Sequence, residues 1–309
     1  MARIAVPGAR ELERELGRLV AGTGAPAFVT ARLADLRASL GSALVRRVGG
    51  PDAVAHREEV LGATGEPWFA EDSPVRTVHA DPAMFVGGLL AVFRQSLHPL
   101  AMAGVAEHST YREDPWGRLH RTGRFLGTVT FGTRDAAGRA ITQVRRIHTK
   151  VVGVAPDGRP YAASDPHLLL WVHIVEVASF ITAHRRYGAE RLDDRAYDRY
   201  VDEMAEVAHA LGSDPAPHNL DELAQALRGF GPELRATREA RRAAHYLLVP
   251  PDLSLAERVA YAPFTAAAVG LLPVDARIGL RLPILPVTDR LVVPPITGGM
   301  MRAARWVAA

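Results

Sequence analysis

Arg145-Arg146-Ile147-His148 leads through Val151-Val152-Gly153 into Asp165-Pro166-His167-Leu168-Leu169-Leu170-Trp171-Val172-His173. His148 and His173 both stand in apolar sequence with helical spacing, separated by the turn residues Pro156-Asp157-Gly158. A buried imidazole left unsatisfied costs on the order of 1–3 kcal/mol, so each histidine is either a structural hydrogen-bond partner or a ligand. Asp165 offers an N-cap acceptor ahead of Pro166, a proline tolerated at the first helical position because its missing N–H has no intrahelical partner there. The pattern predicts helices over 134–152 and 166–187 joined by a short polar turn, an antiparallel hairpin in which His148 and His173 approach each other. The second helix is apolar around most of its circumference, as expected of one buried at the centre of a bundle.

Beyond this hairpin, apolar residues recur at helical spacing almost everywhere and period-two alternation is scarce. The expectation is an all-α, single-domain multi-helix bundle over residues 1–309 with the hairpin at its centre. Further helices are expected over 9–22, 26–40, 82–105, 114–131, 194–211, 219–229, 233–247, 255–270 and 295–308. Asp81-Pro82 repeats the cap chemistry of Asp165-Pro166, and Gly153, Gly188 and Gly212 fall where C-caps belong. Pro283, Pro286, Pro294 and Pro295 forbid one continuous helix over 280–295, so the segment 280–309 should wrap the core before ending in a helix.

Composition removes several function classes. The 309 residues include no cysteine, which excludes disulfides, zinc–thiolate sites, iron–sulfur clusters and thiolate-ligated or covalently attached haem. The formal charge is only +3, Lys150 is the sole lysine, and no basic tract is interleaved with aromatics, so no nucleic-acid partner is expected. Nucleotide-binding glycine fingerprints, a phosphate-binding loop and a Gly-x-Ser-x-Gly elbow are all missing. No run approaches ~20 uninterrupted apolar residues, so no transmembrane span is expected; the nearest stretches, 83–106 and 264–287, are broken by charges, glycines or prolines. The N-terminus runs from Met1-Ala2-Arg3-Ile4 into charged Arg10-Glu11-Leu12-Glu13-Arg14 without a signal-type apolar core, which makes the cytoplasm the default location. The last helix, with Met300, Met301, Trp306 and Val307 beside Arg302 and Arg305, reads as core-facing, with peripheral membrane contact as the other reading.

The chemistry-bearing residues fall into three sets. Arg145 and His148, three apart, share a helical face, as do Arg118 and Thr122, four apart, with Arg121 between them. An imidazole beside an arginine suits an iron ligand with a cation to orient it, but spacing alone favours the plainer reading of a structural histidine bonded to a backbone carbonyl, with the arginine on the bundle rim. His173 and Glu176, also three apart, would form a two-histidine, one-carboxylate site for non-haem iron if His148 joined them. Glu176 has simpler readings as an acceptor for an imidazole N–H or an ion-pair partner for Arg145 or Arg118. A non-enzymatic helical protein with an apolar cavity also fits the pattern.

Arg118-Leu119-His120-Arg121-Thr122 together with Arg145-Arg146-Ile147-His148 resembles the rubber oxygenase (latex clearing protein) catalytic-domain family, which includes ER-bound oxygenases of the mycophenolate pathway. The resemblance covers about 80–230, with its specific motifs between 118 and 180. It implies haem b and its iron, dioxygen as co-substrate, and an apolar small molecule, isoprenoid-like, as substrate. The family's Arg-x-x-His motif makes His148 the proximal metal ligand and Arg145 its supporting residue, with His173 as a haem-pocket residue and fallback ligand. The family's distal Arg-x-x-Lys-Thr motif matches at Arg118 and Thr122, but Arg121 replaces the lysine. A guanidinium does not readily lose its proton, so Arg121 is a poor iron ligand, and contact with dioxygen falls to Arg118 or His120. Glu107, in Ala106-Glu107-His108-Ser109, is the nearest match for the distal carboxylate, with a solvated helix-end role as the alternative.

Overall fold

The computed structural model describes residues 50, 52–109, 114–213 and 215–308, so the helices expected over 9–22 and 26–40 lie outside the described residues. Helices α1 (Ala53–Gly62), α2 (Pro74–Ala80), α3 (Ala83–Gln95), α4 (Pro99–His108), α5 (Pro115–Phe131) and α6 (Arg134–His148) lead into a short antiparallel hairpin of β1 (Val152–Val154) and β2 (Pro160–Ala162). Then come α7 (Pro166–Tyr187), α8 (Asp194–Leu211), α9 (Leu220–Gly229), a 3-10 turn at Gly231–Glu233, α10 (Arg238–Leu248), α11 (Leu255–Leu271), α12 (Val274–Leu280), α13 (Pro286–Leu291) and α14 (Val293–Ala308). The fold is all-α apart from that hairpin.

α7 is the axis. Asp165 caps it by accepting from the His167 N–H at 2.8 Å, and its course ends at Gly188. Trp171, Ile174, Val175, Val177, Phe180, Ile181, Ala183 and Tyr187 are all buried, so the helix meets protein on most sides. Of the described helices, α7 is long and apolar enough to cross a membrane, yet most of it is enclosed within the fold. Its most extensive partner is α3 rather than α6. Gly87 makes that closeness possible: a methyl group there would lie 3.1 Å from the Phe180 backbone Cα and 2.7 Å from its ring. α6 turns its buried Ala137 and Ile141 toward the same apolar cluster as Trp171 and Ile174, while its direct neighbours are α5 and α8.

Two large apolar clusters result among the described residues, with two smaller ones beside them. One joins α2, α6, α7 and α8 through Val75, Ile141, Trp171, Tyr197 and Tyr200. The other joins α3, α10, α11, α12 and α14 through Phe93, Ala244, Ala268, Leu280 and Met301. Met301 is fully buried and Arg305 is 6% exposed, so α14 presents these two residues to the core. Arg305 closes the molecule: its Nε and one terminal nitrogen donate to the two oxygens of Asp81 at 3.0 and 2.9 Å, and it also donates to the Tyr187 carbonyl. The same carboxylate accepts from the Ala83 and Ala189 N–H groups at 2.8 and 3.0 Å.

Several elements differ from the sequence expectation. The helix expected over 82–105 is two, because Pro99 cannot donate to the preceding turn; it opens α4 instead, with His98 as N-cap. The helix over 134–152 stops at His148, and Gly153 lies inside β1 rather than at a C-cap. Gly212 does cap α8, in the left-handed conformation with φ of 103°. Thr237 starts α10 five residues later than expected, behind the 3-10 turn. Within the proline-rich 280–295 segment, Pro286 begins the short α13.

Removing one partner of a buried pair leaves an uncompensated charge, so Arg305→Met should lower unfolding free energy by about 3–5 kcal/mol in urea denaturation. Adding Asp81→Asn should recover part of that loss. A single variant within ~1 kcal/mol of the parent would show that the pair does not hold the two ends together.

Candidate functional site

α5 and α6 are packed antiparallel neighbours turning at Gly132-Thr133, where Thr133 caps α6 by accepting from the Ala136 N–H at 3.2 Å. Arg118 and His148 lie at nearly equal sequence distances on either side of that turn, so Arg118 and Thr122 share one end of the pair with Arg145 and His148. Arg118 is half-buried, whereas Arg121 and Thr122 are exposed. The Thr122 hydroxyl donates to the Arg118 carbonyl at 3.1 Å, and Arg121 pairs with Asp114 at 3.4 Å.

His148 occupies the last turn of α6. Burial holds its imidazole below the ordinary histidine range, and its Nδ1 is enclosed without a hydrogen-bond partner. Close to it in sequence are three exposed aliphatic residues, Ile147 at 51%, Val152 at 54% and Val154 at 63%. Arg145, one turn back, reaches across to the Ala210 carbonyl in the last turn of α8 in a long 3.5 Å contact. That turn also carries His209, whose charge, after burial, is the second influence depressing His173 to about 4. The end of α8 thus lies between Arg145 on α6 and His173 on α7. His173 is buried, and its Nε2, like the Nδ1 of His148, has no partner.

Glu107 ends α4 and accepts from the Tyr161 hydroxyl on β2, a bond that adds to burial in pushing the phenol up to about 12. His108, next to it, contacts the Val152 carbonyl at 3.1 Å. Glu107 is therefore placed against the hairpin that follows His148, bonded to Tyr161 rather than to Arg118 or Thr122. Glu176 is part-covered, and loss of water pushes its carboxyl up to about 7. Its nearby polar neighbour is Tyr200, whose phenol is raised by burial and then by Glu176 itself. Tyr200 in turn contacts His79 Nε2 at 2.9 Å, and His79 Nδ1 contacts the Thr130 hydroxyl at 2.7 Å. Burial, then the neighbouring His184, depresses His79 to about 3.

Sequence reading missed this Thr130–His79–Tyr200 chain and the proximity of His209 to His173, since contacts between distant helices leave no local spacing signal. Among the described residues, the histidine and carboxylate donors that all lie within 4.8 Å of one another are those of His98, His167 and Glu233, not those of His148, His173 and Glu176. The geometry therefore does not assemble the non-haem trio drawn from the α6 and α7 sequences.

The family model described as ER-bound oxygenase mpaB/B'/rubber oxygenase, catalytic domain, matches residues 76–308. The chain belongs to this oxygenase family. The match runs well past residue 230, so α10 to α14 belong to the oxygenase catalytic domain together with the helices bearing His148 and His173. No curated protein and no solved structure matches the chain.

A carboxyl raised to about 7 when folded, against 4.5 in the unfolded chain, contributes stability below pH ~4.5 that is lost as pH rises through 7. Glu176→Gln should therefore stabilise the protein by about 2–3 kcal/mol at pH 8 and by nearly nothing at pH 4. Chemical denaturation at the two pH values reads this difference directly; an equal effect at both would mean that Glu176 ionises normally in the fold.

Proposed function

We propose that this oxygenase is haem b-dependent and uses dioxygen to oxidise an apolar, isoprenoid-like small molecule, with His148 as the iron ligand. The observation that carries the reading is the enclosed, unpartnered nitrogen of His148 in the Arg-x-x-His segment of an oxygenase domain. Iron takes a neutral imidazole, and burial holds His148 in that form at neutral pH. The exposed aliphatic side chains of Ile147, Val152 and Val154, which adjoin His148 in sequence, suit contact with a porphyrin or an apolar substrate. These residues therefore fit the group.

His148 would hold the iron, Arg145 and Arg121 would supply cations for the propionates, and His173 would stand within the pocket as a neutral imidazole. Bound haem would supply the one-electron and dioxygen chemistry that no side chain of this chain provides. The chain's own residues do the remaining work. Arg118 offers fixed positive charge and N–H donors at the end of α5 shared with His148, suited to oxygen-centred charge developing during reaction. Thr122 spends its hydroxyl proton on its own helix and keeps its oxygen as an acceptor. Glu107 is the carboxylate available to take a proton from substrate, once its contact with Tyr161 gives way. Peripheral contact with a lipid surface, expected at the last helix, would find more exposed apolar surface in the preceding segment 249–296, where Leu255, Val259, Ile278, Val287 and Leu291 are strongly exposed, since Met301 and Arg305 face the core.

The variant series separates anchorage from chemistry. His148→Ala should remove most of the haem, and His173→Ala should disturb the absorption spectrum while retaining some. Arg118→Ala and Thr122→Ala should keep haem content and lower oxygenation by roughly tenfold or more. Retention of full haem by His148→Ala with its loss from His173→Ala would move the ligand role to α7. Haem loss in Arg118→Ala would place that arginine on the propionate side.

A further inference from the structure

His98, His167 and Glu233 come from three separate elements: the N-cap of α4, the first turn of α7, and the 3-10 turn behind α9. Both imidazoles address one carboxylate. His98 Nε2 lies 3.2 Å from Glu233 Oε2, and His167 Nε2 lies 2.9 and 3.1 Å from Oε1 and Oε2. All three donor groups fall within 4.8 Å of one another. Bonds of roughly 2.0–2.2 Å to zinc set neighbouring ligand atoms about 3–3.6 Å apart, so the two histidine–carboxylate separations already match a shared cation, and the imidazole–imidazole separation is no more than 4.8 Å.

The surroundings favour such a site. His98 is fully buried, and its ring lies near Phe230 and Trp171, while His167 stacks on Phe230 at 4.4 Å. This apolar backing keeps water off one side, and the exposed His167 gives an entry path from the other. Burial depresses His98 against the pull of Glu233, which favours the neutral ring. Burial alone would raise Glu233, but hydrogen bonds from His167 and His98 outweigh it and keep the carboxyl ionised. Binding exchanges the Nε2 hydrogen bonds of His98 and His167 to Glu233 for bonds to the ion, and the cap bond from the Ala101 N–H to His98 Nδ1, already long at 3.4 Å, must also yield. With Nδ1 protonated instead, the Nε2 lone pair is free for a metal and no net proton is released.

We propose that His98, His167 and Glu233 bind one divalent first-row cation of the zinc class, through the two imidazole Nε2 atoms and the Glu233 carboxylate, with solvent completing the coordination. The ion ties the start of α4 and the start of α7 to the turn that follows α9. This site is distinct from the proposed haem site and does not depend on it.

Calorimetric titration of the tag-free full-length protein with Zn2+ tests the assignment, and haem content is measured alongside. The expected result is one equivalent bound with micromolar or tighter Kd, accompanied by a rise in melting temperature. His167→Ala and Glu233→Gln should each weaken binding by roughly tenfold or more without changing haem content. His218→Ala, which removes an exposed histidine paired elsewhere with Asp202, should leave it unchanged. Absence of binding up to about 100 μM, or one-equivalent binding that survives both ligand variants, would falsify the proposal and leave the three groups a hydrogen-bonded trio.

Discussion

The ion pair of Asp81 with Arg305 joins the start of α3 to the end of α14, across nearly the whole family-matched span of 76–308. Burying two charges is costly unless every hydrogen-bonding position is used, and here they are nearly all used. Asp81 receives the guanidinium together with the Ala83 and Ala189 N–H groups, and Arg305 also reaches the Tyr187 carbonyl at the end of α7. One carboxylate thus fixes where α3 begins, where α7 stops and where α14 docks. α3 and α7 can then close on each other through Gly87, and the remaining helices pack on the two sides of that pair.

The helices that the sequence makes legible are those whose ends carry their own chemistry. α7 and α8 are found at the expected 166–187 and 194–211 because Asp165, Gly188 and Gly212 mark their limits. The reading fails where a proline is compatible with apolar helical spacing on both sides, as at Pro99, or where a long-range contact decides the conformation, as in the β hairpin that Tyr161 and Glu107 tie to α4. α2 and α12, each of seven residues, are too short for a periodic signal to stand out. The pairing of α7 with α3 rather than α6 was equally hidden, since sequence neighbours are the natural first guess for a hairpin and the small Gly87 surface speaks only once both helices are in place.

The candidate site was legible as motif and only partly as geometry. Arg118 and Thr122 do share an end of a helix pair with Arg145 and His148, a consequence of the tight Gly132-Thr133 turn between two helices of similar length. The enclosure of His148 Nδ1 and His173 Nε2 without partners could not be read from spacing, nor could the last turn of α8 lying between Arg145 and His173. The compact histidine and carboxylate group found among the described residues, His98, His167 and Glu233, spans widely separated positions with no motif among them, so only the fold brings it to view. An unpartnered buried imidazole nitrogen is costly to keep; of those on α6 and α7, His148 Nδ1, His173 Nε2 and His184 Nε2, it is His148 that stands in the family's Arg-x-x-His segment and directs attention to an iron-bearing group.

The claim on which the functional account rests is that haem b occupies this oxygenase through His148. A pyridine haemochrome assay on protein expressed with haem supplementation measures it directly. The account predicts about one haem b per chain, with a Soret band in the purified protein. Colourless protein that stays so after haem reconstitution and binds ferrous iron instead would contradict it.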